Sequence, residues 1–220
     1  MSRALTILFG AIIGLSLGFV AKSLITKVDS AAQPSARFLV TTSCIIGAIV
    51  SDLIFLRFSE IELRFCFAIL CSGLLVQSLI DIYTHRLVRQ ISHIMAGSGV
   101  LLLGFNAIDN SSSNLLVSAA VCATLGVAIS VVSNKISGGS LGAGDVRLMA
   151  VLGWHLGFLD YSAAMWALFA ACVFASIFGV AMIVLRGGSW QRRIAFGPFL
   201  TLGTLTAIFV NEVSSYTFMT

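Results

Sequence analysis

Charge is what this chain has least of. Only 10% of its 220 residues are Asp, Glu, Lys or Arg, while 58% are hydrophobic. A soluble domain is about a quarter charged, so there is too little charge here to cover a water-exposed surface. The mean hydropathy of +1.03 says the same. Disorder is excluded by the same figures, because disordered chains are polar and charged. The net charge of +4 arises from 13 basic and 9 acidic residues with no dense basic run, so no nucleic-acid partner is expected. Only 2 prolines and 3 histidines are present, and His85, His93 and His155 lack metal-ligand spacing. None of the five cysteines (Cys44, Cys66, Cys71, Cys122, Cys172) stands in a C-x-x-C pair, and all lie in apolar stretches. They are expected as small apolar fillers rather than as zinc ligands or disulfides. Neither a metal nor a cofactor is expected.

What remains is an all-α, polytopic membrane helix bundle. A helix needs about 20 mostly apolar residues to cross a bilayer. Eight such stretches are expected, at 4–21, 38–56, 65–82, 94–108, 115–133, 145–158, 161–185 and 194–210, the fourth and sixth being short. The first resembles a signal peptide, but only Arg3 precedes it, two lysines follow and no clear A-x-A site ends it. A retained span is expected. The connections hold no soluble domain; the longest inside one, from Lys22 to Arg37, is about 16 residues. The chain therefore reads as a single integral-membrane domain, residues 1–220.

Orientation follows from the basic residues, which favour the cytoplasmic side. With the N-terminus outside, ten fall inside: Lys22, Lys27, Arg37, Arg86, Arg89, Lys135, Arg147, Arg186, Arg192 and Arg193. Three, Arg3, Arg57 and Arg64, fall outside. If the short sixth stretch failed to cross, the split would be seven against six, which carries no signal. Eight crossings are expected, with Trp154 and Trp190 within or near the interfaces.

Acidic groups are expensive in hydrocarbon and each needs an account. Asp29, Glu60, Glu62, Asp109, Asp160 and Glu212 fall in connections or near the C-terminus. Asp52 is near the outer end of the second span. Asp81 ends the third, and Asp145 follows a run with glycine at 138, 139, 142 and 144. Two spans separate Asp81 from Asp145. An even number of crossings returns the chain to the same side, so both carboxylates are expected at the cytoplasmic edge. Glycine admits close backbone approach. Gly142 and Gly144 would thus let an extended substrate strand come near Asp145. Alternatively, the loop is plain connection and its aspartate caps the sixth span.

Two carboxylates at one partly desolvated site cannot both ionise easily, and they share a proton. The ionised member draws a proton from water while the protonated member donates to a peptide carbonyl. That is aspartyl-type peptide hydrolysis, with no metal and no covalent intermediate. The chain offers little for rival chemistries: no Ser or Cys nucleophile is placed with His85 in a recognisable motif.

Three stretches resemble the type IV prepilin leader peptidases, polytopic aspartyl proteases of the GxGD class. Residues 139–153, from Gly139 through Gly142, Gly144 and Asp145 to Gly153, are similar to that family's G-x-x-G-x-G-D-x-K-L segment, with Arg147 at the usual lysine. Ser78-Leu79-Ile80-Asp81, followed by Arg86-Leu87, resembles its first catalytic aspartate and basic loop. Ile194-Ala195-Phe196-Gly197-Pro198-Phe199-Leu200 resembles the I-P-F-G-P-x-L opening of its last span. Val88-Arg89 stand where a Pro-Asn pair is frequent, and Ala195 replaces a frequent proline.

The resemblance implies an aspartic-type endopeptidase of the inner (plasma) membrane, with its catalytic part at about residues 65–211. Asp81 and Asp145 would be catalytic. Gly142, Gly144, Arg147, Gly197 and Pro198 would line the substrate site. The partner would be a prepilin or pseudopilin, cut after a short basic leader, with its apolar helix in the bilayer. The Lys22–Arg37 connection has no room for the C-x-x-C domain associated with N-methylation in longer relatives, so a short, peptidase-only form is implied. Other readings of the same residues are a small transporter or channel, a catalytically idle assembly scaffold, and a preflagellin or signal-peptide peptidase.

Overall fold

The computed structural model describes residues 3–30, 32, 34–136, 142–186 and 195–210. Gly138, Gly139, Ser140 and Leu141 lie outside the described residues, as do Trp190, Arg192, Arg193, Ile194 and Glu212. Among the described residues the chain is entirely helical, in eight helices: α1 Arg3–Val28, α2 Ala36–Arg57, α3 Ile61–Thr84, α4 Arg89–Asp109, α5 Ser113–Ile136, α6 Ala143–Leu159, α7 Tyr161–Arg186 and α8 Gly197–Phe209. Helices are the solution lipid demands, because every backbone polar group is satisfied within the segment. Each helix corresponds to one expected span.

The main difference is at α1, which runs seven residues beyond the expected end at 21. Lys27, in its last turn, does not stop it, because a cation there complements the helix dipole. The connection to α2 is correspondingly short, and Ser35 caps α2 by accepting from Phe38 N at 3.5 Å. Six helices are long and apolar enough to cross a membrane. At 17 residues α6 is at the lower limit, and α8, at 13, is shorter.

Helix α3 is the axis of the bundle. In its most apolar stretch 67% of residues are buried, compared with 6% for α7 at the periphery. It packs against α1, α2, α4 and α8. Phe67, Leu70, Leu74 and Ile80 of α3 are fully enclosed. Phe67 stacks on Phe58, with ring centroids 4.6 Å apart. Lipid tails are as apolar as leucine, so helices in a membrane associate through close packing and small residues rather than hydrophobic driving force. Helix α1 illustrates this: its buried residues Thr6, Gly10, Gly14, Gly18, Ala21 and Ile25 form one stripe. The stripe lies directly on α2, where a Cβ on Gly14 would run into the carbonyl of Ser43. Glycines also bring α6 onto α5. Ser118 Oγ donates to Gly157 O at 2.6 Å, and there is no room for a Cβ on Gly153 beside Cys122.

The cysteines of the described chain are free, with Cys66, Cys71 and Cys122 buried as fillers. Trp154 turns toward the bundle: its indole nitrogen is buried, and the ring stands beside Gly99. His155 is fully buried and its Nδ1 lies 2.7 Å from Val151 O, one turn back in the same helix.

Replacing Gly14 by Val should force α1 off α2. A loss of about 1–3 kcal/mol is expected from overpacking of this kind, read as a lowered thermal midpoint in detergent. An unchanged midpoint would contradict the described α1–α2 contact.

Candidate active site

Every acidic residue among the described ones lies in the outer turns of a helix or at its cap. Asp52, five residues from the end of α2, pairs with Arg3 at 2.8 Å. Glu60 caps α3 and accepts from the Asn106 amide. Asp160 joins α6 to α7 and accepts from Ser162 Oγ at 2.7 Å. A transporter reading expects carboxylates near mid-span, and none of the described acids sits there.

Asp81 occupies the last turn of α3 and is 6% exposed. The helix ends abruptly beyond it. His85 adopts the left-handed conformation at φ 50° and ψ 35°, and its N–H donates to Asp81 O at 2.9 Å. A non-glycine residue there is uncommon, and it turns the chain away before α4 begins. The Asp81 side chain faces α8. Gly197, the first residue of that helix, donates its N–H to Asp81 Oδ2 at 2.8 Å.

The first N–H groups of any helix have no partner within it and carry the positive end of its dipole. A carboxylate is the natural acceptor. Pro198 follows at the next position, where its missing N–H leaves no donor unsatisfied. Gly197 has a second role, because a Cβ there would stand 2.8 Å from Asp81 Oδ2 and 3.3 Å from Asp81 Cβ. Without a side chain, the backbone comes close enough to donate.

Asp145 sits in the first turn of α6 and is half-buried. Its Oδ2 accepts from Gly142 N at 3.2 Å. This is the carboxylate half of a capping box, three residues into the helix. Gly144 faces Leu87 in the loop that follows α3, and a Cβ there would approach Leu87 Cβ to 2.9 Å. The opening of α6 thus leans on the chain just beyond Asp81.

The ends of three helices therefore meet: the C-terminus of α3 and the N-termini of α6 and α8. Gly142, Gly144, Gly197 and Pro198 all belong to this junction. Arg147 lies one turn into α6, where its Nε donates to Ala143 O at 3.1 Å; Arg86, on the α3–α4 connection, and Arg89, at the start of α4, are exposed. Among the described residues no group of three His, Cys, Asp or Glu side chains is placed to hold a metal ion.

The sequence placed Gly197 and Pro198 in the lining of a substrate site and did not mark Gly197 as a hydrogen-bond donor to Asp81. It also assigned no role to Ser78 and Thr201, whose hydroxyls lie 2.6 Å apart in the same interface. Their spacing from Asp81 and Gly197, one helical turn in each case, was a readable signal.

A family model described as the type IV leader peptidase family matches residues 68–180. That is just over half the chain, from α3 through most of α7, and it includes both aspartates. The protein belongs to the type IV leader peptidase family. Membership makes it a peptidase-family membrane protein, and the short connections leave it without a further domain between helices. The match does not reach Gly197, so the contribution of α8 to the junction is known from the structure alone. No curated protein and no solved structure matches the chain significantly.

The close approach of Gly197 to Asp81 is directly testable. Replacing Gly197 by Ala must displace either the carboxylate or the first turn of α8. A fall of about 100-fold in peptidase activity is expected from a displacement of that size, with helix content by circular dichroism unchanged. Wild-type activity would show that the contact does not matter to the site.

Proposed function

We propose that the protein is an aspartic-type endopeptidase, in which Asp81 and Asp145 share one proton and activate a water. Its substrate is a prepilin or pseudopilin, whose short basic leader is removed at the cytoplasmic face of the plasma membrane. The observation that carries the reading is the three-helix junction. A buried carboxylate ends α3 and a half-buried one opens α6, which packs through Gly144 on Leu87 just beyond Asp81, and each is hydrogen-bonded by a backbone N–H at a helix N-terminus.

Carboxylates so placed hold a proton between them instead of both ionising. The ionised member takes a proton from water as the oxygen attacks the peptide carbon. The protonated member donates to the carbonyl oxygen, and collapse of the tetrahedral species expels the amine. The oriented N–H groups hold the acids in place through the cycle, a form of electrostatic preorganisation. Gly142 leaves space beside Asp145 for an extended strand, whereas the space at Gly144 is taken by Leu87. Pro198, next to Gly197, borders the same space, and Arg147 supplies a positive charge to orient an acidic group on the substrate.

Asp81→Asn and Asp145→Asn, made separately, remove the ionisable group at nearly constant size. Each is expected to lower conversion of a pilin precursor, followed by mass, by about 10³-fold, within the range lost with a general acid or base. Undiminished cleavage in either variant ends the assignment.

The side of the membrane has its own test. In a cysteine-free background, Ser59→Cys should react with a membrane-impermeant maleimide in intact cells. Gln90→Cys should react only after permeabilisation. The reverse pattern would place the junction outside.

A further inference from the structure

The hydrogen bond from Gly197 to Asp81 is one rung of a short ladder between α3 and α8. Asp81 and Ser78 are three residues apart and share a face of α3, while Gly197 and Thr201, four apart, share a face of α8. The helices run antiparallel, so the pairs align: Asp81 opposite Gly197, and one turn deeper Ser78 opposite Thr201. Both rungs are made. Gly197 N donates to Asp81 Oδ2 at 2.8 Å, and the Ser78 and Thr201 hydroxyl oxygens are 2.6 Å apart. Ser78 is 8% exposed and Thr201 9% exposed.

Thr201 has a single hydroxyl proton, and its Oγ1 lies 3.0 Å from Gly197 O and 3.5 Å from Leu74 O. Carbonyls only accept, so with Ser78 donating to Thr201 and Thr201 donating to the nearer carbonyl, Gly197 O, both contacts are hydrogen bonds; either hydroxyl can donate across the pair. Ser78 thus ties α3 to Thr201, and Thr201 is bonded within α8 to the carbonyl of Gly197, the residue whose N–H, in the preceding peptide unit, meets Asp81.

The register of α8 depends on few other contacts of this kind. At 13 residues it is the shortest helix described. Its far end is held by Arg57, whose Nε donates to Ile208 O at 3.2 Å. Its outer side is smooth, with Gly203 lying directly on the α7 backbone at Ala167 and Ala171. Apolar contacts tolerate sliding, whereas a hydroxyl pair does not.

We infer that Ser78 and Thr201 are positioning residues for the peptidase: they fix the register of α8 on α3 so that the Gly197 N–H meets the Asp81 carboxylate. The inference rests on the dyad proposed above. Neither hydroxyl touches substrate. Each acts through Gly197, so its loss alters the rate of the chemical step and leaves substrate binding as it was.

Thr201→Val keeps the shape and removes the hydroxyl, Thr201→Ser keeps the hydroxyl, and Ser78→Ala removes one oxygen. The assay is precursor cleavage by full-length enzyme in detergent or vesicles, at matched amounts of folded protein. Thr201→Val and Ser78→Ala are each expected to lower kcat about 10- to 100-fold, the scale of a small misplacement at a reacting centre. KM should be unchanged within about twofold, as for loss of an interaction felt only in the transition state. Thr201→Ser should restore kcat. The double variant should be no worse than either single one, because both break the same Ser78–Thr201 contact.

Wild-type kcat in Thr201→Val or Ser78→Ala, while Asp81→Asn is inactive, overturns the inference and leaves the dyad standing. A raised KM at constant kcat overturns it as well, and so does failure of Thr201→Ser to restore the rate. If Thr201→Val does not accumulate, Ser78→Ala carries the test alone. Full activity of Asp81→Asn would instead remove the dyad itself.

Discussion

A carboxylate cannot be enclosed in an apolar helix bundle without a donor to meet it, and at Asp81 that donor is the N–H of Gly197. The rest of the junction depends on this bond. It requires a helix to begin opposite the end of α3. It requires that helix to begin with a residue lacking a side chain, and it is helped by a following residue with no N–H of its own. Gly197-Pro198 meets both conditions. The same bond ties the last described helix to the most buried one, linking the stability of the bundle to the geometry of the acid.

Asp145 meets the same problem differently. It is satisfied by its own helix, at the third position of α6, through the Gly142 N–H. One acid is held across the bundle and deeply buried, while the other is held locally and half-buried. Two carboxylates in unlike surroundings are what a shared-proton mechanism calls for, since the members of the pair must differ in their hold on the proton. The chain around both belongs to a peptidase family.

Small residues govern how the helices reach these positions. In lipid there is no solvent to squeeze helices together, so contact relies on close approach. Gly14 on α2, Gly153 and Gly157 on α5, and Gly203 on α7 each remove a side chain that would otherwise hold two backbones apart. The glycines near the acids do the same work at the junction: Gly144 admits Leu87 and Gly197 admits Asp81. Close packing of this sort makes the register of short helices matter, and the buried Ser78–Thr201 pair is the polar contact that reports it.

The sequence by itself determined that the chain is helical, where each helix lies, and that residues 81 and 145 lie on one side. Hydrocarbon excludes unsatisfied backbone and isolated charge so strongly that apolar length and acid placement are read almost directly. The end of α1 escaped this reading because a basic residue reads as the end of an apolar span, whereas Lys27 in a last turn complements the helix dipole. Sequence also singled out Gly197 and Pro198, but as a shape and not as a donor. Only the tertiary structure decided that the start of α8 faces the end of α3, that Ser78 faces Thr201, and that Trp154 turns inward. These depend on which faces of different helices meet. Helices of similar apolar character can pack in several rotations, and the choice is made by a few small and polar residues brought together from distant parts of the chain.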